Sequence, residues 1–156
     1  MQILRLILVI ILIGSACTSA EENAVLGERR GRAANVFHDG ILLLHANSEL
    51  SPTADGFLQD PFFYYFTGLG DTVGAVFAID GKTGESWLFL PSDPPFRKSG
   101  LQPEVQPGTE AAKRLGIAHV VDWSELEQFL SAHVIQRLPL YYGDNRGDPL
   151  SCPLTS

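Results

Sequence analysis

The stretch FLQDPFFYYFTG, Phe57 to Gly68, sets an acid and a proline ahead of five consecutive aromatic residues and closes on Thr67 and Gly68. So apolar a run does not lie in a free loop, because aromatic side chains carry large surfaces that water drives into contact with other groups. Two readings compete for it, a packed structural corner and a substrate-facing aromatic surface, and residue chemistry favours the corner. The Asp60 carboxylate is placed to cap a helix, and Pro61 then occupies the first helical position, where a missing N–H costs nothing. Gly68 supplies the stop. The spacing predicts a short helical turn from Pro61, with Phe62, Phe63, Tyr65 and Phe66 on both of its sides and therefore buried nearly all round.

Elements on either side alternate between helix and strand. Glu21 to Val36 reads as a helix whose face is marked by Val25, Leu26, Arg29, Ala33 and Val36, weakened by Gly27 and Gly31. Ile41 to Ala46 is a short apolar strand, and Ser48 to Gly56 a polar loop that delivers the aromatic turn. Gly74 to Asp80 and Glu85 to Leu90 read as strands joined through Gly81, Lys82, Thr83 and Gly84, a hairpin signal. A proline-rich surface passage from Pro91 to Gly108 follows, then a helix from Thr109 to Gly116 and a strand from Ala118 to Val121. Asp122 with Glu125, or Ser124 with Glu127, is spaced as a capping box for a helix carrying Leu126, Phe129 and Leu130; Leu138 to Tyr142 is a last strand. Helices interleaved with short buried strands predict an α/β fold, a mixed β-sheet flanked by helices.

The 156 residues suit one domain, with 45% hydrophobic and 19% charged positions in the ordinary globular range. A net charge of −7 and 11 scattered basic residues argue against a nucleic-acid or anionic-membrane surface, which needs clustered Lys and Arg.

Residues 1–20 form a separate unit. Arg5, the apolar run from Leu6 to Ile13 and the small residues Gly14 to Ala20 read as a secretory signal peptide, since the run is shorter than the roughly 20 residues a membrane-spanning helix needs. Two processing routes stand open. Cys17 after Ser15 and Ala16 resembles a bacterial lipobox, with Gly14 where leucine is preferred, so Cys17 is a candidate lipidation site; the rival is ordinary cleavage after Ala20. The expected location is exported, periplasmic or secreted, with a lipid anchor if Cys17 is modified. The other cysteine, Cys152, lies near the carboxy terminus, so the domain body has neither a disulfide framework nor a structural zinc site.

Sites that carry chemistry are scarce. His38, His45, His119 and His133 are well separated and none falls in a HExxH spacing, so each reads as a surface or strand histidine. Asp144, Asn145 and Asp148 lack the ordered spacing of a calcium loop and read as a solvated turn. Gly68, Gly70 and Gly74 lack the strand and helix of a dinucleotide loop, and Arg146-Gly147-Asp148 reads as a chance tripeptide. No catalytic or metal-ligating residue is expected in this chain.

The stretch from Phe57 resembles the signature of the amino-terminal domain of aminopeptidase P, the Xaa-Pro aminopeptidases of the creatinase and prolidase superfamily, whose pattern runs FRQDSxFYYLTG. Phe57, Gln59, Asp60, Phe63, Tyr64, Tyr65, Thr67 and Gly68 match it; Leu58, Pro61 and Phe66 replace arginine, serine and leucine. Leu58 cannot make the ion pair or subunit contact an arginine would offer. Upstream, GERRGRAANVFHDGILLLHANSE is similar to the family's opening helix and strand, and VGAVFAIDGKTGESWLFLPSDPP to the hairpin that follows; the agreement runs from about Leu26 to Tyr142.

The resemblance implies a mixed sheet flanked by helices over 21–145, a linker or tail over 146–156, and an absent carboxy-terminal pita-bread domain. There two aspartates, a histidine and two glutamates would hold two divalent metals, commonly manganese, so the chain alone is expected to be inactive. In the intact metalloaminopeptidase it implies removal of the residue preceding a proline from peptides. This domain would wall the substrate cleft and make homo-oligomer contacts, with Phe63 and Tyr65 in the core and Tyr64 as the candidate binding residue. A stand-alone exported binding module, or the amino-terminal half of a prolidase-like or creatinase-like enzyme, are the alternatives.

Overall fold

A computed structural model describes residues 21–47, 59–91 and 105–143. Ile41, Leu42, Leu43 and Leu44 succeed one another without a polar break, a pattern that suits a strand covered on both faces. They form β1 (Ile41–His45), and all four are buried. β2 (Val76–Asp80) pairs antiparallel with β1, and β3 (Ser86–Leu90) pairs antiparallel with β2. β4 (His119–Asp122) lies parallel to β3 at one edge, and β5 (Leu140–Gly143) parallel to β1 at the other. The sheet is therefore mixed, in the order β4-β3-β2-β1-β5.

Helices cover both faces. The first face presents Leu42, Leu44, Phe77, Ile79, Leu88 and Val120 to α1 (21–36), α2 (Pro61–Thr67) and α3 (Thr109–Leu115). The second presents Ile41, Leu43, Val76, Ala78 and Phe89, against which Phe129 of α4 (Leu126–Ile135) is buried. Each fully buried Leu, Ile or Phe contributes about 1.5–3 kcal/mol of transfer free energy, so the sheet is the stability centre of the domain.

The hairpin follows its local chemistry. Asp80 Oδ1 accepts from the Lys82 N–H at 2.8 Å and the Thr83 N–H at 3.3 Å, while Gly84 takes φ 76° and donates its N–H to the Asp80 carbonyl at 2.8 Å. An Asx turn and a left-handed glycine thus bring β2 back as β3.

Three expectations need correction. The buried face of α1 consists of Leu26, Arg30, Ala33 and Ala34, whereas Val25 and Val36 are exposed, because α1 turns its small alanines toward the sheet so that the two can approach closely. Asp122 accepts from the Ser124 N–H at 2.9 Å and so caps a 3-10 turn, Trp123–Glu125; α4 begins after it, at Leu126, with Glu125 at its N-cap position making no side-chain cap, and neither expected capping box opens it. The last strand is Leu140–Gly143, because Leu138 and Pro139 finish the descent from α4. The loop Ser48–Gly56 lies outside the described residues, as does most of the proline-rich passage.

Candidate functional site

Helix α2 begins as its sequence dictates. The Asp60 carboxylate accepts from the N–H groups of Phe62 and Phe63, both at 2.9 Å, and Pro61 needs no partner at the first position. Gly68 ends the helix at φ 72° and donates its N–H to the Tyr64 carbonyl at 2.8 Å. Gln59 fastens this start to the chain around it: its Oε1 accepts from the N–H groups of Asn47 and Asp60, both at 2.9 Å, and its Nε2 donates to the Thr72 carbonyl at 2.6 Å. At the other end the Thr67 hydroxyl donates to the Phe63 carbonyl at 2.7 Å and accepts from the Leu69 N–H at 3.2 Å.

The polar residues of the motif are thus scaffold, and its aromatic residues divide into two sets. Successive residues turn by about 100° around a helix, so Phe63 and Thr67 share one face with Phe66 beside them, while Phe62, Tyr64 and Tyr65 occupy the opposite arc. Phe63 is 0% exposed, against 46% for Phe62, 52% for Tyr64 and 46% for Tyr65. Burial nearly all round is therefore overturned, and so is the placing of Tyr65 in the core: one side of α2 meets the sheet and the other faces water. Phe63 stands where expected, and Tyr64 is the most exposed of the five.

Tyr65 is nevertheless held in place. The Arg29 guanidinium of α1 lies 4.3 Å from the ring centroid of Tyr65, a cation–π distance, and its Nη1 donates to the Tyr65 carbonyl at 3.0 Å. The Phe66 ring meets Tyr65 edge-on at 5.0 Å. What results is an aromatic surface with two phenols on a braced helix, suited to stacking on apolar or planar groups and to hydrogen bonding at its rim.

The histidines lie elsewhere and apart. His119 stacks on Trp87 at 3.8 Å with its Nε2 3.6 Å from Glu85, and the His133 Nε2 lies 3.5 Å from Asp80 Oδ2 with its Nδ1 2.6 Å from the Phe129 carbonyl. His45 packs its ring near Tyr142 at 5.2 Å. Among the described residues no group of three or more His, Cys, Asp or Glu could hold a metal ion, so these side chains do not fit the two-metal centre that the resemblance implies for the family. Cys17, Leu58, Asp144, Asn145, Asp148 and the Arg146-Gly147-Asp148 tripeptide lie outside the described residues.

Residues 26–141 match the family described as aminopeptidase P, N-terminal domain. The chain belongs to this family. The same fold occurs in proline aminopeptidase P II from Yersinia pestis, with a TM-score of 0.61 and 20% identity over 80% of this chain and 30% of that one. A variant of Escherichia coli aminopeptidase P in complex with substrate gives 0.60 and 19% identity, over 81% of this chain and 30% of its own. A zinc-substituted form of that enzyme in complex with product gives 0.56 and 19% over the same shares. This aminopeptidase P N-terminal domain therefore spans about a third or less of the chains it resembles. No curated protein sequence matches it at a significant level.

Proposed function

We propose that this chain is the non-catalytic amino-terminal domain of an exported Xaa-Pro aminopeptidase-like metallopeptidase, and that it shapes the substrate cleft and the oligomer contacts of that enzyme. The observation that carries the reading is the aromatic face of α2. Three large aromatic side chains held in water on one short helix expose more apolar surface than isolated surface residues do, and tyrosines are enriched where proteins meet partners. Gln59, Asp60 and Thr67 hold that face without contributing to it, which is how a rigid wall is built.

In this reading the chemistry belongs to a carboxy-terminal half carrying two divalent metals, manganese being the expected one. Bound there, such metals would polarise the scissile carbonyl and supply a nucleophile at neutral pH. The residues described here would bind and orient. Tyr64 and Phe62 would face a peptide or a neighbouring subunit, and Tyr65, braced by Arg29, would keep the wall from yielding. A cleft closed by a second body buries a short peptide better than one face can, and oligomer contacts exclude long ones.

The test is made in the polypeptide that carries the peptidase half. Tyr64→Ala should raise KM for an Xaa-Pro peptide or weaken assembly while leaving the fold intact; a Tyr64→Phe protein and a Tyr64→Ala protein that both match the parent in peptide affinity and assembly would remove Tyr64 from the site. The present chain alone should not cleave an Xaa-Pro dipeptide. For export we propose that residues 1–20 direct secretion and that Cys17 is the lipid attachment point; labelled fatty acid that still enters a Cys17→Ser protein would refute the attachment.

A further inference from the structure

The carboxy-terminal end of α4 is weakly secured by its backbone. Two bonds close it, from the Arg137 N–H to the Val134 carbonyl at 2.9 Å and from the Leu138 N–H to the His133 carbonyl at 3.3 Å. In this closure the residue past the cap takes left-handed backbone and is usually glycine. Here it is Arg137, at φ 54°, so a β-carbon works against the turn. Val134 and Ile135 lie in water and add little packing. Such an end opens more readily than the core.

One side chain ties it down. The His133 Nδ1 lies 2.6 Å from the Phe129 carbonyl and its Nε2 3.5 Å from Asp80 Oδ2, with the two side chains 16% and 11% exposed. Both ring nitrogens therefore face acceptors. A neutral imidazole carries a single N–H, so whichever nitrogen lacks it turns a lone pair toward an oxygen. Only the imidazolium serves both, and it stands in the last turn of α4, where the helix dipole favours a cation.

We propose that His133 is a pH-responsive pin: protonated, it holds the last turn of α4 to Asp80 and so to the β2–β3 hairpin, and on losing its proton it frees that turn. The anchor is already fixed, because Asp80 Oδ1 accepts from the Lys82 and Thr83 N–H groups. Among the described residues Asp80 is the only acid within 4 Å of the His133 ring nitrogens. Of the other ionisable groups around this end of the sheet, Glu85 faces His119 at 3.6 Å and Asp39 accepts from the Tyr141 hydroxyl. His38 and Lys82 stand on the two turns that meet at Gly81, and Arg137 follows the helix. The contact thus contributes fully where histidine is charged and is lost as pH climbs through the histidine range, about 5 to 8. The pin is internal to this domain and independent of the peptidase half.

Amide hydrogen exchange in the 156-residue chain, corrected for the intrinsic rate at each pH, tests this. Protection of Arg137 and Leu138, relative to Phe77 in the central strand β2, should fall about ten-fold between roughly pH 5 and pH 8, as the loss of a hydrogen bond to a charged group implies. His133→Gln should remove that dependence, and so should Asp80→Asn, which keeps an acceptor for the hairpin turn. Arg137→Gly should raise protection at both pH values and leave their ratio unchanged. Relative protection that does not change with pH in the parent, or a change that survives either His133→Gln or Asp80→Asn, overturns the pin. A change abolished by His119→Gln assigns the response to the His119–Glu85 pair and overturns it as well.

Discussion

Arg30 reaches from α1 to the last carbonyl of α3, with its two terminal nitrogens 3.3 and 3.4 Å from the Leu115 oxygen. Asn23 makes the same crossing one residue earlier, its Nδ2 donating to the Arg114 carbonyl at 2.7 Å. A helix end leaves carbonyls without intrahelical partners, and here α1 supplies the donors. Burial of the Arg30 guanidinium lowers its pKa from the usual value, yet an arginine keeps its proton, so the contact remains charge-assisted at all ordinary pH. Arg30→Ala should destabilise the domain by about 2 kcal/mol, the loss of hydrogen bonds made by a charged group, read as a lower midpoint in urea with an unchanged slope. A midpoint within error of the parent would show that the two helices are held by packing alone.

The aromatic helix offers a contrast within five adjacent residues. Phe63→Ala should cost about 3–5 kcal/mol, because a fully buried ring leaves a cavity, whereas Phe62→Ala and Tyr64→Ala should stay within about 0.5 kcal/mol of the parent. Equal losses in thermal melts at all three positions would contradict the division of the helix into a buried and a presented side.

Asp60→Ala should remove about 1 kcal/mol by leaving the Phe62 and Phe63 N–H groups without their acceptor. Asp60→Asn should recover most of that, since an amide oxygen can take the same bonds; hydrogen exchange at Phe62 and Phe63 reports the cap directly.

Gly81 lies against the Phe37 carbonyl, and a β-carbon at that position would overlap the carbonyl oxygen. Its own N–H donates to the Gly40 carbonyl at 2.9 Å, which ties the hairpin turn to the loop after α1. Gly81→Ala should therefore cost about 1–3 kcal/mol through forced backbone displacement, while Gly70→Ala, with open space around it, should be nearly silent.

The Tyr141 hydroxyl donates to Asp39 Oδ1 at 3.0 Å, and its pKa is raised, first by that hydrogen bond, then by partial burial and by the carboxylate's charge. A raised folded pKa means that the contact's stabilisation is complete below the unfolded tyrosine value of about 10 and is lost as pH climbs through the higher folded value. Ultraviolet titration should place one tyrosine above the others, and Asp39→Ala should return it toward its ordinary value. A single common midpoint in both proteins would exclude the contact in solution.

Local sequence determined the elements whose chemistry is complete within a few residues. Asp60 with Pro61 sets the start of α2, Gly68 and Gly116 take left-handed backbone at two helix ends, and the Asp80 to Gly84 turn makes the hairpin; each works through hydrogen bonds to its own neighbours. The motif from Phe57 to Gly68 also carried the family. Tertiary structure decided which aromatic residues stay in water, and no periodicity in a seven-residue helix could do so. Phe63 is buried because α2 lies flat on the sheet, and Tyr65 faces outward because Arg29, 36 positions away, takes its ring and its carbonyl from the side. Contacts between residues far apart in the chain follow from how strands pair and helices stack, and the apolar flank of α4 became visible only after that pairing had set Phe129 inward and left Val134 and Ile135 outside.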